Sequence, residues 1–190
     1  MFVLGIDPGL SRCGYGCVDE QGGNHRAVAA GVITTDRACP LPERLATLRR
    51  DLNELVDEHR PDVVVVERVF FQTNVRTAMY VGQASGVALL TASEAGCAVV
   101  EYTSNEVKLA VTGDGAASKD QVQRMVTTLL RLPSVPKPAD AADALALALC
   151  HLAMSRAARL RIAPAMGGRS ELASELVASV ASHPASRSVR

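Results

Sequence analysis

Residues 63–67 read Val-Val-Val-Val-Glu. Four consecutive β-branched side chains favour an extended backbone, and a strand that is apolar on both faces belongs inside a sheet covered on both sides. The run ends in an acid. Upstream, Pro42-Glu43 opens a helical pattern with Leu45, Leu48, Leu52, Leu55 and Val56 on one face and Arg49, Arg50, Asp51 and Glu54 off it. Pro61 stops that helix. Downstream, Asn74–Gly96 reads as a long helix with an Asn cap and a Gly stop, and Cys97–Tyr102 as a further strand. Buried strands separated by helices imply an α/β sandwich.

The N-terminal stretch supplies the rest of the sheet. Phe2, Val3, Leu4 and Ile6 form a short apolar run that ends in Asp7, followed at once by the turn pair Pro8-Gly9. Arg12–Val18 and His25–Thr35 have strand character, and Gly22-Gly23-Asn24 between them is a hairpin turn. Three strands therefore come first, as an antiparallel meander. After residue 102, Ser104 is expected to cap a short helix and Ser118 another. The proline-rich stretch PSVPKPAD then leads into an alanine-rich final helix. The predicted order is βββ-α-β-α-β-α-α-α, an α/β fold with a mixed five-stranded sheet flanked by helices.

Bulk composition narrows the function classes. Of 190 residues, 48% are hydrophobic and 21% charged, which suits a globular domain with a real core. Lys+Arg and Asp+Glu both total 20, so a generic polybasic nucleic-acid binder is excluded, though a local basic patch is not. Five cysteines without a CxxC pair read as reduced thiols of a cytoplasmic protein. The N-terminus has no signal-peptide pattern, and the charge-free run Thr77–Ser93 is a small-residue helix, so no membrane association is expected. From about Ile162 the composition shifts to Pro, Gly, Ser and Arg, with six Arg and two Glu between His151 and Arg190. The expected organisation is one domain over residues 1–160 and a disordered, mildly basic tail over 161–190, with room for a short helix at 170–181.

The acids at the strand ends carry the chemistry. Asp7 ends the first strand and Glu67 the fourth, while Asp140 and Asp143 share one face at the start of the last helix. Each alone has an ordinary reading: a turn residue, an edge charge, first-turn acids favoured by the helix dipole. If strands one and four are neighbours and the last helix docks over their ends, three or four carboxylates converge. Such a cluster needs a counter-charge and suits hard divalent cations with oxygen ligands, Mg²⁺ above all. Two such ions about 4 Å apart serve phosphodiester hydrolysis. His25, His59, His151 and His183 are scattered, and no zinc arrangement is visible.

GIDPGLSRCGYG, VVVVERVFF, VGQASG, VKLAVTGDGAASKDQVQRMV and ADAADALALALCH together resemble the RuvC family of bacterial Holliday junction resolvases. The resemblance runs from residue 2 to about 155. It implies a ribonuclease-H-like fold and a Mg²⁺-dependent homodimeric endonuclease that nicks two strands of like polarity across a four-way DNA junction. Two ions per site are implied, with Mn²⁺ able to substitute. The family's catalytic and metal-holding acids fall on Asp7, Glu67, Asp140 and Asp143, and some members carry His in place of Asp140. Lys108 and Lys119 match lysines that support DNA binding and cleavage. In the first turn of its helix Lys119 opposes the dipole, which a phosphate would compensate. Phe70 matches an aromatic wedge at the junction centre, and Arg68 and Arg76 flank its loop as phosphate contacts. The small residues Gly82, Ala84, Ser85, Gly86 and Ala88 suit a two-fold interface along their helix. Partnership with the RuvA–RuvB branch-migration complex is implied as well. Two other readings stay open: a related nuclease that processes ribosomal RNA precursors, and a junction-binding module without catalysis.

Overall fold

The computed structural model describes residues 1–68 and 74–162. Two compact units divide the chain, Met1–Met154 and Ser155–Arg190. The first contains the whole sheet; of the second, only the end of the last helix is described. Of the tail expected over 161–190, residues 161–162 continue the last helix, and the rest, with its 170–181 helix, lies outside the described residues, as do Phe70 and Phe71.

Ten elements follow in the predicted order: β1 (Phe2–Asp7), β2 (Arg12–Gln21), β3 (Asn24–Thr34), α1 (Leu41–His59), β4 (Val63–Glu67), α2 (Val75–Glu94), β5 (Ala98–Tyr102), α3 (Ser104–Thr112), α4 (Lys119–Leu129) and α5 (Ala139–Ile162). They build one five-stranded sheet in the order β3-β2-β1-β4-β5. The meander β1-β2-β3 is antiparallel, while β1, β4 and β5 run parallel. Gly22 and Gly23 turn the β2–β3 hairpin with φ of +59° and +83°, which a residue with a Cβ resists.

Local chemistry sets the helix ends. Asn74 caps α2 through the Thr77 amide, and Ser118 caps α4 in a capping box with Gln121. Arg60 in the left-handed conformation, rather than Pro61 alone, closes α1. The expected Ser104 cap is corrected. Thr103 is the N-cap of α3, its hydroxyl accepting from the Glu106 amide while the Glu106 carboxylate accepts from the Thr103 amide. Ser104 is therefore the first helical residue, and its hydroxyl is spared for another partner.

Strand parity sorts the core into two layers. Leu4, Ile6, Val64 and Val66 face α1 and α2, where Leu48, Leu52, Val56, Ala84 and Ala88 meet them. Val3, Val63 and Val65 face the other way, toward Val107, Val122, Val126 and the buried residues of α5. Parity then puts Asp7 and Glu67 on this second face. α5 has the length and composition to cross a bilayer, but its residues Ala144 to Cys150 are all buried against the core.

The second face is also the closer one. A Cβ on Gly5 would stand 2.0 Å from the Ala144 carbonyl oxygen, one on Gly14 would stand 2.2 Å from the Asp140 carbonyl oxygen, and one on Gly16 would stand 2.7 Å from the Leu145 amide. Gly5 and Gly16 are cross-strand partners, and Gly14 is the partner of Asp7. The backbone of α5 thus rests directly on the backbone of β1 and β2. That seat fixes where Asp140 and Asp143 lie relative to Asp7.

Candidate active site

The ends of β1 and β4 lie side by side, since Ile6 pairs with Val66 in the parallel register. Asp7 and Glu67 are the next residues along each strand. Both project toward α5, which brings Asp143 over the same edge. A cleft of ≈ 370 Å³ opens there, lined by Asp7, Glu67, Asp143, Lys108, Lys119 and Ser104 among others. Five of the predicted site residues are therefore brought together. Asp140 does not line the cleft, although its charge reaches Asp7.

Electrostatics follow from that crowding. Burial raises the Asp7 carboxyl from 3.8 to about 7, and the negative charges of Glu67, Asp143 and Asp140 push in the same direction. Lys119 opposes them, with its ammonium 2.6 Å from the Asp143 carboxylate. That hydrogen bond raises the lysine's own affinity for its proton. Burial also works to raise Asp140, but Arg12 outweighs it: the guanidinium donates from Nε at 3.1 Å and Nη2 at 2.8 Å to one oxygen and holds the carboxyl below its ordinary range. Ser104 donates a short hydrogen bond to Glu67 Oε1.

All the acidic donors here are carboxylate oxygens, the set that suits a hard divalent cation and not zinc or a soft metal. The surplus negative charge felt by Asp7 is the kind that such an ion would neutralise, so the residues fit one. Among the described residues, however, no three His, Cys, Asp or Glu side chains are gathered closely enough to hold an ion as they stand. Two of the acids are instead held by side-chain cations, Asp143 by Lys119 and Asp140 by Arg12.

The remaining predicted contacts divide. Lys108 lines the cleft. Arg68 follows Glu67, its amide bonded to the Tyr102 carbonyl and its exposed side chain within electrostatic reach of Glu106. Arg76 is turned to Tyr80, with a 3.4 Å hydrogen bond to the hydroxyl and a 5.8 Å approach to the ring centroid. Phe70 is among the residues not described. Sequence reasoning missed Arg12, Ser104 and Arg44. Arg44 is 9% exposed and donates to the Thr35 and Ser11 hydroxyls, behind the loop that joins Asp7 to Arg12. Its signal was present: positions 44, 48 and 52 form one stripe at a four-residue spacing, so the arginine lies on the buried face. The cysteines carry none of this chemistry: all five are free, and burial pushes Cys13, Cys17 and Cys150 up to about 12.

Comparison with known proteins agrees with this layout. The sequence model described as "Crossover junction endodeoxyribonuclease RuvC" matches residues 3–151. A protein of that name from Salinispora arenicola is 58% identical over 153 residues, which cover 80% of this chain and 87% of the relative. The structure of Thermus thermophilus RuvC superposes with a TM-score of 0.77 at 37% identity, over 83% of this chain and 97% of that one. The same relative "in complex with Holliday junction substrate" gives a TM-score of 0.76 at 35% identity, over 83% and 96%. The sheet order and flanking helices are those of a ribonuclease-H-like fold.

Proposed function

Because this chain belongs to the crossover junction endodeoxyribonuclease RuvC family, whose members resolve Holliday junctions, we propose that it nicks two like strands of a four-way junction with Asp7, Glu67, Asp140 and Asp143 as its metal-holding catalytic acids. The observation that carries this reading is the convergence of Asp7, Glu67 and Asp143 on one cleft at the sheet edge, with Lys108 and Lys119 beside them. Oxygen ligands at a phosphodiester site favour Mg²⁺, two ions per site, with Mn²⁺ as substitute. Held by Asp7, Glu67, Asp140 and Asp143, such ions would supply activation of the attacking water and stabilisation of the leaving oxygen.

The chain's own residues supply position and charge. Asp7 and Glu67 sit on strand ends that the sheet register locks, and Ser104 orients Glu67. Lys108 and Lys119, the latter paired with Asp143, line the same cleft and face the path of a phosphate backbone. Arg68 extends that basic wall, Arg76 contacts phosphate from the first turn of α2, and Phe70 wedges into the junction centre. Free space beside Gly82 and Gly86, with exposed Val75, Met79 and Leu90 on the same helix, supports a two-fold copy of the chain along α2. One active site per subunit then meets each scissile strand. Free thiols fit the bacterial cytoplasm, where the RuvA–RuvB complex would deliver the junction.

The test is a nicking assay with Mg²⁺ on a synthetic four-way junction, the matching linear duplex and a ribosomal RNA stem. Paired, symmetric nicks confined to the junction are expected. Cleavage of the RNA stem in preference to the junction would overturn the assignment, and binding without cleavage would reduce the chain to a recognition module.

A further inference from the structure

Arg12 opens β2 beside the tip of β1 and reaches across to α5. Its guanidinium grips a single Asp140 oxygen with two N–H groups, while its side chain remains 47% exposed. An ion pair so open to water contributes little to folding. Its larger consequence falls on Asp140, whose Oδ2 is engaged by Arg12 and which does not line the cleft. On the next turn of α5, Asp143 is held in the same manner by Lys119. Two fixed cations therefore balance the two helix acids.

We propose that Arg12 is an exchangeable counter-ion: it holds Asp140 until a divalent cation claims that carboxylate, and the released guanidinium then takes a DNA phosphate beside the cleft. The proposal rests on the reading of the acids as metal ligands. Its chemistry is that of the guanidinium fork, which fits the paired oxygens of a carboxylate and of a phosphate alike. Arg12 stays charged throughout, so one anion replaces another and no proton moves. Metal and DNA are coupled as a result. Metal frees a phosphate-binding group, and by reciprocity bound DNA tightens the metal by the same factor.

The full chain with Arg12→Gln or Arg12→Lys tests this through two binding measurements that need no cleavage. Calorimetric Mg²⁺ binding without DNA should tighten about 3- to 10-fold in Arg12→Gln, because a competitor for Asp140 is gone. Junction binding, followed by fluorescence anisotropy, should match the parent in EDTA. In Ca²⁺ it should weaken about 5- to 10-fold, with a salt slope lower by roughly one. Arg12→Lys should fall between the parent and Arg12→Gln. Unchanged or weaker Mg²⁺ binding by Arg12→Gln would overturn the exchange. So would an equal loss of junction binding in EDTA and Ca²⁺, which would make Arg12 a simple phosphate contact. Asp143→Asn serves as control. If it binds Mg²⁺ as tightly as the parent, the metal reading itself falls and takes the exchange with it; if it loses Mg²⁺ while Arg12→Gln shows no gain, the exchange alone falls.

Discussion

The two faces of the sheet are packed by different means. On one, branched side chains of β1 and β4 meet Leu48, Leu52 and Val56 of α1, so a layer of apolar side chains separates helix from sheet. On the other, Val3, Val18, Val63 and Val65 pack against α3, α4 and α5, but Gly5, Gly14 and Gly16 leave a bare strip on which α5 lies backbone against backbone. Burying a leucine contributes about 1.5–3 kcal/mol, so the first face is a source of stability. The second adds apolar burial of its own, and its glycines also fix a distance between β1 and α5. The acids are on the second face. The lesson is that both faces supply stability, while the geometry of the site is set on one of them alone.

The largest expected effect breaks the site and spares both faces. Asp143→Asn should lower the nicking rate by at least about 10³-fold, or roughly 4 kcal/mol of barrier, with a melting temperature close to the parent's. Nicking within tenfold of the parent would remove Asp143 from the catalytic set.

A pair of substitutions sets the faces against each other. Leu48→Ala should cost about 2–5 kcal/mol of stability while cleavage per folded molecule is retained. Gly14→Ala should cost stability too, because its clash is with backbone, and should in addition lower cleavage per folded molecule. Its new Cβ meets the Asp140 carbonyl and lifts the start of α5, and a displacement of about 1 Å costs on the order of 100-fold in rate. Melting curves and single-turnover nicking on both variants check this; equal stability losses with equal activities would erase the distinction between the faces.

Asp7 adds a pH dependence with a definite sign. Its folded-state pKa of about 7 exceeds the ordinary 3.8, so between those values the folded protein holds a proton that the unfolded chain has released. Stability of the metal-free protein should therefore fall as pH rises from about 4 to about 7 and lose nothing further to this group above that. Denaturation in EDTA at pH 5 and pH 8 should show the loss in the parent and a smaller one in Asp7→Asn. The same loss in both would mean that the acids do not crowd Asp7.

The smallest effect concerns Ser104. Without its hydroxyl, Glu67 keeps its place on β4 but loses a fixed orientation. Ser104→Ala should lower the nicking rate about 2- to 10-fold with little change in melting temperature, and Ser104→Thr should restore part of it. A full parental rate in Ser104→Ala would leave the contact without a role in cleavage.

Much of this was legible because it depends on short-range rules. Val63–Glu67 declared a doubly covered strand, the strand ends placed Asp7 and Glu67 side by side once β1 and β4 pair, and the three-residue spacing of Asp140 and Asp143 put both on one side of α5. What stayed hidden depends on partners far apart in sequence or on competition between neighbours. Arg12 and Asp140 are 128 residues apart, and nothing in either segment names the other. Thr103 and Ser104 are both good caps; the capping box with Glu106 decided for Thr103 and released Ser104 to Glu67. Arg76 and Tyr80, four apart on α2, could have been paired from spacing alone.

The glycine seat also sets a one-way limit on change. No residue is smaller than glycine, so no substitution at Gly5, Gly14 or Gly16 can draw α5 closer to the sheet. Every alternative pushes the helix acids outward from Asp7, by an amount that grows with the side chain introduced. The arrangement works like a datum surface in a machine: the helix is seated against a hard stop rather than suspended between opposing springs. An engineer who wishes to retune the spacing of the acids for a larger cation has an easy direction available at these three positions, and a smaller cation has none.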